Sequence, residues 1–272
     1  VFSGSDKGWM VTESEAKTSP TTAPFASFVA ATGGTVTESG NFKIHTFTGD
    51  GCFVVSCGGN AVGSNKVSYV VVAGGGGGAG NQGNADGSSG AGAGGFREGK
   101  TPTFDTYTAS PLVAPDGLEV PAATYPITVG GGGSAGAGAA AGHGGKGSNS
   151  VFSTITSTGG GGGQHPSPPY SAISKCGGSG AGAAASGNPT ANQIGSGNTP
   201  PTSPSQGNNG GNYFSDGQSA GGGGGGAGAV GQNAPNRTTG GDGGAGVASC
   251  VTGSPVQRAG GGGGSAYPAN TG

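Results

Sequence analysis

The chain is expected to fold without α-helix, as a small antiparallel β framework that feeds a bundle of polyglycine II helices joined by polar loops. Three observations carry that expectation. Glycine supplies 70 of 272 residues, much of it in uninterrupted runs. Short segments rich in Val, Ile and Phe empty directly into those runs. No segment combines a helical apolar period with caps, since Ala139–Ala141 and Ala183–Ala185 are short and flanked by Gly or Ser.

Composition sets the problem the fold must solve. Glycine loses more backbone freedom on folding than any other residue, and ordering a residue costs roughly 1–2 kcal/mol. Side-chain burial is a weak compensation here: Leu, Ile, Val and Phe number 36, and only seven of these lie in 161–272. That second part has no means of building an ordinary hydrophobic core. Disordered chains of low apolar content are usually highly charged, yet the net charge is −2 and 8% of residues are charged. The absence of a basic stripe argues against nucleic-acid binding, and no apolar run approaches the ~20 residues that span a bilayer. Val1, with no initiator Met, is expected to mark processing or the start of a fragment.

Taken in order, residues 1–40 are rich in Ser, Thr and Ala, with Phe2, Trp9, Phe25 and Phe28 as large anchors, and are expected to be an extended attachment segment. Residues 41–160 are expected to hold the β framework with glycine-rich excursions. Within it, Phe42–Phe47 and Cys52–Cys57 flank Gly49-Asp50-Gly51 and predict a hairpin. Lys66–Val72 reads as a buried strand, Thr124–Val129 as a strand moved toward an edge by Pro126, and Val151–Thr156 as a single strand. The last three open into glycine at Gly74, Gly130 and Gly159. Cys52 and Cys57 point to opposite faces of a strand and do not pair; Cys176 and Cys250 are free or bridged to each other.

Residues 161–272 are expected to be the polyglycine II bundle, continuous with the tracts of 73–160. A single such rod has three residues per turn and rises ~3.1 Å per residue. Its N–H and C=O groups point sideways and are satisfied only by neighbouring rods, which must approach without side chains between them. The flexible Gly/Ser linker is the competing reading. Gly74, Gly75, Gly76, Gly159, Gly161, Gly221, Gly223, Gly260 and Gly262 are the glycines expected inside such rods, with 74–78, 159–163, 221–226 and 260–264 as interior members. Polar loops are expected at 96–123, 164–176, 188–219, 232–239 and 250–258, with Thr199–Pro204 in polyproline II conformation.

Familiar catalytic patterns are missing. G-x-G-x-x-G arises by chance in so much glycine, and Gly144-Gly-Lys146-Gly-Ser148 interrupts a Walker sequence with Gly147. His45, His143 and His165 have no metal-ligand spacing. No carboxylate pair suggests glycoside hydrolysis, so neither enzyme activity nor a cofactor or metal is expected.

Several segments carry a family resemblance. Ala31–Gly51, Val67–Gly78, Gly94–Glu98, Tyr125–Gly133, Ser150–Ile155, Gly197–Pro201 and Gly207–Gly210 resemble the glycine-rich domain of bacteriophage tail-fibre and related virion proteins, in a version similar to those of marine phages. The alternation of tract and loop is also similar, in architecture only, to the adhesins at the tips of T-even-like long tail fibres. The resemblance implies an extracellular virion component with fibre subunits or further copies of itself as partners, and a host saccharide or outer-membrane protein as receptor. Exposed aromatics on a rigid frame are common contact material. Phe104, Tyr107, His165, Tyr170, Tyr213 and Phe214 are therefore the candidate receptor contacts, with a tip built from some of the loops that carry them; the bland alternative is that each plugs an end of the bundle. A structural filament without receptor binding is the other reading.

Overall fold

The computed structural model describes residues 25–80, 87–137, 142–166, 175–184, 194–216 and 218–266. No helix occurs among them. The strands are β1 (Val29–Thr32), β2 (Thr35–Ser39), β3 (Phe42–Thr46), β4 (Gly51–Gly58), β5 (Lys66–Val67), β6 (Tyr69–Val72), β7 (Phe96–Gly99), β8 (Val113–Ala114), β9 (Leu118–Glu119), β10 (Ala123–Thr128), β11 (Ser150–Phe152), β12 (Ile155–Ser157), β13 (Phe214–Ser215), β14 (Ser219–Ala220), β15 (Val247–Ser249) and β16 (Val256–Arg258). The largest sheet runs β1-β4-β10-β11-β12, and all its pairings are antiparallel.

Its core is small. Alternation along β4 turns Phe53 and Val55 inward, where they meet Tyr69, Val71, Val120 and Phe152. Phe53 and Phe152 pack edge to face with ring centroids 5.8 Å apart. Two buried serines then fasten this core to the start of the first glycine tract. Ser157 Oγ donates to Val71 O at 2.7 Å and Ser150 Oγ donates to Val72 O at 2.8 Å.

The framework differs from the sequence expectation at five points. β3 pairs with β2 rather than β4, so residues 29–32 and 35–39 are built into sheets and are not merely an attachment; Phe2 and Trp9 lie outside the described residues. The expected strand 151–156 is the tight hairpin β11–β12, turned at Ser153 with φ 53°. β10 is central in strand order, but β11 reaches only Ile127 and Thr128, so at Pro126 the strand has a neighbour on one side only. The expected loop 96–123 holds β7, which pairs with β6 and buries Phe96 and Glu98. Cys52 and Cys57 both face outward and are free, as are Cys176 and Cys250; the register shift in the β1–β4 pairing accounts for Cys57.

From β6 onward backbone contacts replace side-chain contacts. Among the described residues twelve tracts lie side by side: 73–80, 87–95, 130–137, 142–149, 158–164, 177–184, 194–198, 206–212, 219–227, 229–234, 240–246 and 259–265. The 219–227 rod is the centre of the array. Its N–H groups donate in rotation to three neighbours: Gly221, Gly224 and Ala227 to 259–265, Gly222 and Gly225 to 177–184, Gly223 and Gly226 to 229–234. Its carbonyls accept in rotation from three others: those of Gly221 and Gly224 from 240–246, of Gly222 and Gly225 from 87–95, of Gly223 and Gly226 from 206–212. The period of three and the six partners are the signature of polyglycine II packing, with donor and acceptor directions alternating around each rod.

Of the four tracts expected inside, 159–163 and 221–226 are fully buried, 74–78 is partly so, and 260–264 lies at the surface. The last is peripheral because 259–265 follows the outer hairpin β15–β16 and closes the array on one side. The expected loop 188–219 also contains two members of the array, 194–198 and 206–212. Thr199–Pro204 is not polyproline II; the peptide bonds before Pro200 and Pro204 are cis, and the turn wraps the Asn198 side chain, whose Oδ1 accepts from Thr202 N at 3.0 Å.

These contacts set the tolerance of each glycine. A Cβ at Gly223 would collide with the carbonyl of Asp242, whereas one at Gly263 meets nothing nearer than 3.7 Å. Gly223→Val should destabilise the chain by more than about 4 kcal/mol, the range of the severest core lesions, while Gly263→Ala should stay within about 0.5 kcal/mol of the parent as surface changes do. Thermal or denaturant melts of the two variants check the contrast.

Candidate binding face

Rod direction decides which loops meet. The rods 73–80, 130–137, 158–164, 177–184, 206–212, 229–234 and 259–265 run away from the β framework, and the other five run back. Reversals between an outgoing rod and a returning one therefore fall on the face distal to the framework. That face gathers the ends of 158–164, 177–184 and 259–265, the turn carrying β13 and β14, and the turn 235–239. The framework end collects 96–123, β11–β12, 199–205, 228 and β15–β16.

The candidate receptor residues are split between the two ends. Phe104 and Tyr107 lie at the framework end and are half-buried. Lys100 Nζ sits 5.1 Å from the Tyr107 ring centroid and donates to Tyr107 O at 2.7 Å. Burial, and then the neighbouring Glu98 charge, pushes the Tyr107 hydroxyl well above the usual tyrosine range. This loop is a plug: Ser68 Oγ donates to Asp105 and accepts from Thr101 N at 2.9 Å, while Lys66 pairs with Asp116. Beneath it Glu98, 1% exposed, accepts from Ser110 N at 2.8 Å and from Ser249 Oγ at 2.6 Å.

His165, Tyr213 and Phe214 belong to the distal end, and Tyr170 lies outside the described residues. His165 is 1% exposed, so it is packed in the array rather than offered to a partner. Its backbone N–H donates to His143 Nδ1 at 3.1 Å, and the two rings stand edge to face at 6.3 Å. Among the described residues no third His, Cys, Asp or Glu joins them into a metal site. Neighbouring Gln164 donates through Nε2 to Gly182 O at 2.6 Å and holds two outgoing rods together.

What the distal face offers to solvent is polar and fixed. Tyr213 and Phe214 are half-buried, with Asn212, Ser215 and Asp216 exposed beside them. Asn233 Oδ1 accepts from Asn212 N at 2.7 Å and Asn212 Oδ1 from Tyr213 N at 3.0 Å, which ties the two turns together. In 235–239, Asn236 Oδ1 accepts from Thr238 N and Oγ1, both at 2.9 Å, and Arg237 is exposed. Aromatic content alone misses Asn212, Asn233, Asn236 and Arg237. Their signal is the Asn-rich reversal placed between two glycine tracts.

The Glu98 contacts separate structure from binding. Glu98→Ala should cost about 1–3 kcal/mol for each buried donor left unpaired, and Glu98→Gln should cost less, because one acceptor oxygen remains. Urea melts read the difference.

A model of the glycine-rich domain family matches residues 48–272, which takes in β4 and every rod of the array. No curated protein and no solved structure matches significantly. The chain belongs to the glycine-rich domain family.

Proposed function

We propose that this chain is a non-enzymatic component of a phage virion fibre, presenting loops on a rigid polyglycine scaffold for recognition of a host surface. The observation that carries the reading is the distal face. It brings reversals from distant parts of the sequence together, on backbones held by rods beneath them. Half-buried Tyr213 and Phe214, the amides of Asn212, Asn233 and Asn236, and Arg237 form a hydrogen-bonding surface with aromatic faces. That chemistry suits a saccharide or an outer-membrane protein loop. The phage assignment rests on the resemblance of the strand and tract motifs to virion glycine-rich domains.

A structural filament is the second reading. It is favoured by His165 and Tyr107, which serve packing rather than exposure. The two readings part on the turns. Replacing 235–239 by Gly/Ser, together with Tyr213→Ala and Phe214→Ala, leaves all rods in place. Labelled parent chain should bind some members of a panel of Gram-negative cells, and the variant should lose that binding at an unchanged melting temperature. The binding should also change little between low and physiological salt, given a net charge of −2. Equal binding by parent and variant, or none by the parent to any cell tested, would place the chain in the filament class.

A further inference from the structure

Among the described residues the array leaves open a position with a defined hydrogen-bonding pattern. The 87–95 rod bonds to five neighbours: 73–80, 158–164, 177–184, 219–227 and 259–265. Its sixth side is a groove of about 340 Å³ walled by Gly75–Ala79, Ser88–Ala93 and Gly260–Ser265. Three rods in their array positions flank this groove, so it has the shape of one more rod. Its walls carry only Gly, Ala and Ser, so it offers a ligand no charged side chain.

The bond rotation fixes what each wall presents. In 73–80, N–H groups 73 and 76 donate to 87–95, and 74, 77 and 80 to 142–149; carbonyls 74 and 77 accept from 158–164, and 75 and 78 from 130–137. Alternation leaves the carbonyls of Gly76 and Ala79 facing the groove. By the same rotation 87–95 presents the N–H groups of Ala91 and Gly94, and 259–265 presents the carbonyls of Gly260 and Gly263. None of these groups has a hydrogen-bond partner among the described residues. Across the groove the walls therefore read acceptor, donor, acceptor.

One surface rod of the chain carries the complement. Among the described residues the 130–137 rod bonds only to 73–80 and 142–149, through the N–H groups of Gly133 and Gly136 and the carbonyls of Gly131 and Ser134. Among the described residues the N–H groups of Gly132 and Ala135, their carbonyls, and the N–H groups of Gly131 and Ser134 have no hydrogen-bond partner. They face three successive directions and read donor, acceptor, donor. The glycines agree with this pairing. A Cβ at Gly131 or Gly78 meets nothing within 4 Å, and one at Gly75 nothing nearer than 3.9 Å. Packing within one chain does not require glycine at these three positions, whereas an incoming bare backbone does. Ser134 and Ala135 are no obstacle, since Ser179 and Ala181 are fully buried in the 177–184 rod.

We propose that three copies of the chain close into a ring, with the 130–137 rod of each copy seated in the groove of the next. The polarity selects the symmetry. Opposite directions around a rod are of opposite kind, so a half-turn about an axis parallel to the rods sets carbonyl against carbonyl and N–H against N–H. A one-third turn preserves the pattern. The one-third turn that carries 130–137 into the groove closes after three steps and uses no array position twice. Heterologous contacts of this kind form rings when the rotation closes. The 87–95 rod then gains its sixth neighbour and the 73–80 rod its fifth. All three distal faces point the same way, and Gly75 and Gly78 direct their N–H groups at the axis. The ring continues the rod-to-rod interface already inside the chain and does not depend on the host-binding reading.

Light scattering on the full chain after size exclusion should give three times the 25.0 kDa chain mass. Gly78→Val fills the groove and Gly131→Val blocks the incoming rod; both positions have room for a side chain in the single copy. Each variant should elute at one chain mass, with the far-UV circular dichroism of the parent. A parent chain that runs as one or two copies overturns the proposal, as does either variant remaining at three.

Discussion

Every rod in this molecule depends on two backbones meeting with no side chain between them. A polyglycine II helix has no internal hydrogen bonds, so each buried N–H and C=O must be answered by a neighbour or remain at a cost of about 1–3 kcal/mol. In 219–227 every N–H from Gly221 to Ala227 and every carbonyl from Gly221 to Gly226 has such a neighbour. Six partners share the work, so the interior tolerates no single misplaced side chain near its centre. Glycine, the residue least suited to order on its own, is here the residue that permits order.

The apolar core and the rod array are coupled rather than independent. The framework core is small, but it fixes β6 and the hairpin β11–β12, from which 73–80 and 158–164 depart as adjacent parallel rods. Ser150 and Ser157 bond directly to the last strand carbonyls before the glycine begins. Glu98 performs the matching task for the returning rod 87–95, joining β7 to Ser110 and to β15. Hydrophobic burial thus sets where rods start, and backbone hydrogen bonding carries the rest of the chain.

Much of this was legible in the sequence, and what was not has physical reasons. The absence of helix, the strand-then-glycine rhythm and the rod conformation follow from composition and from the lack of any other means of burial. Strand partners were less legible: β3 joins β2, and Ser153 bends what reads as one strand into two, because register depends on turns rather than on apolar pattern. The placement of the candidate contacts was least legible. Which end a loop occupies depends on the direction of every preceding rod. The passage from 158–164 to 177–184, which run parallel, breaks simple alternation and separates Phe104 and Tyr107 from Tyr213 and Phe214. Burial of His165 was also hidden, since an isolated histidine beside glycine reads as exposed.

The central claim is that a side-to-side hydrogen-bonded array, with 219–227 at its middle, holds the glycine-rich part in one structure. Residue-resolved amide hydrogen exchange by NMR tests it most directly. If the account is right, the N–H groups of Gly221–Ala227 exchange among the slowest in the protein, at least as slowly as those of Phe53 and Val55 in the framework. Exchange of Gly221–Ala227 at the rate of unstructured peptide, with the framework still protected, would contradict it.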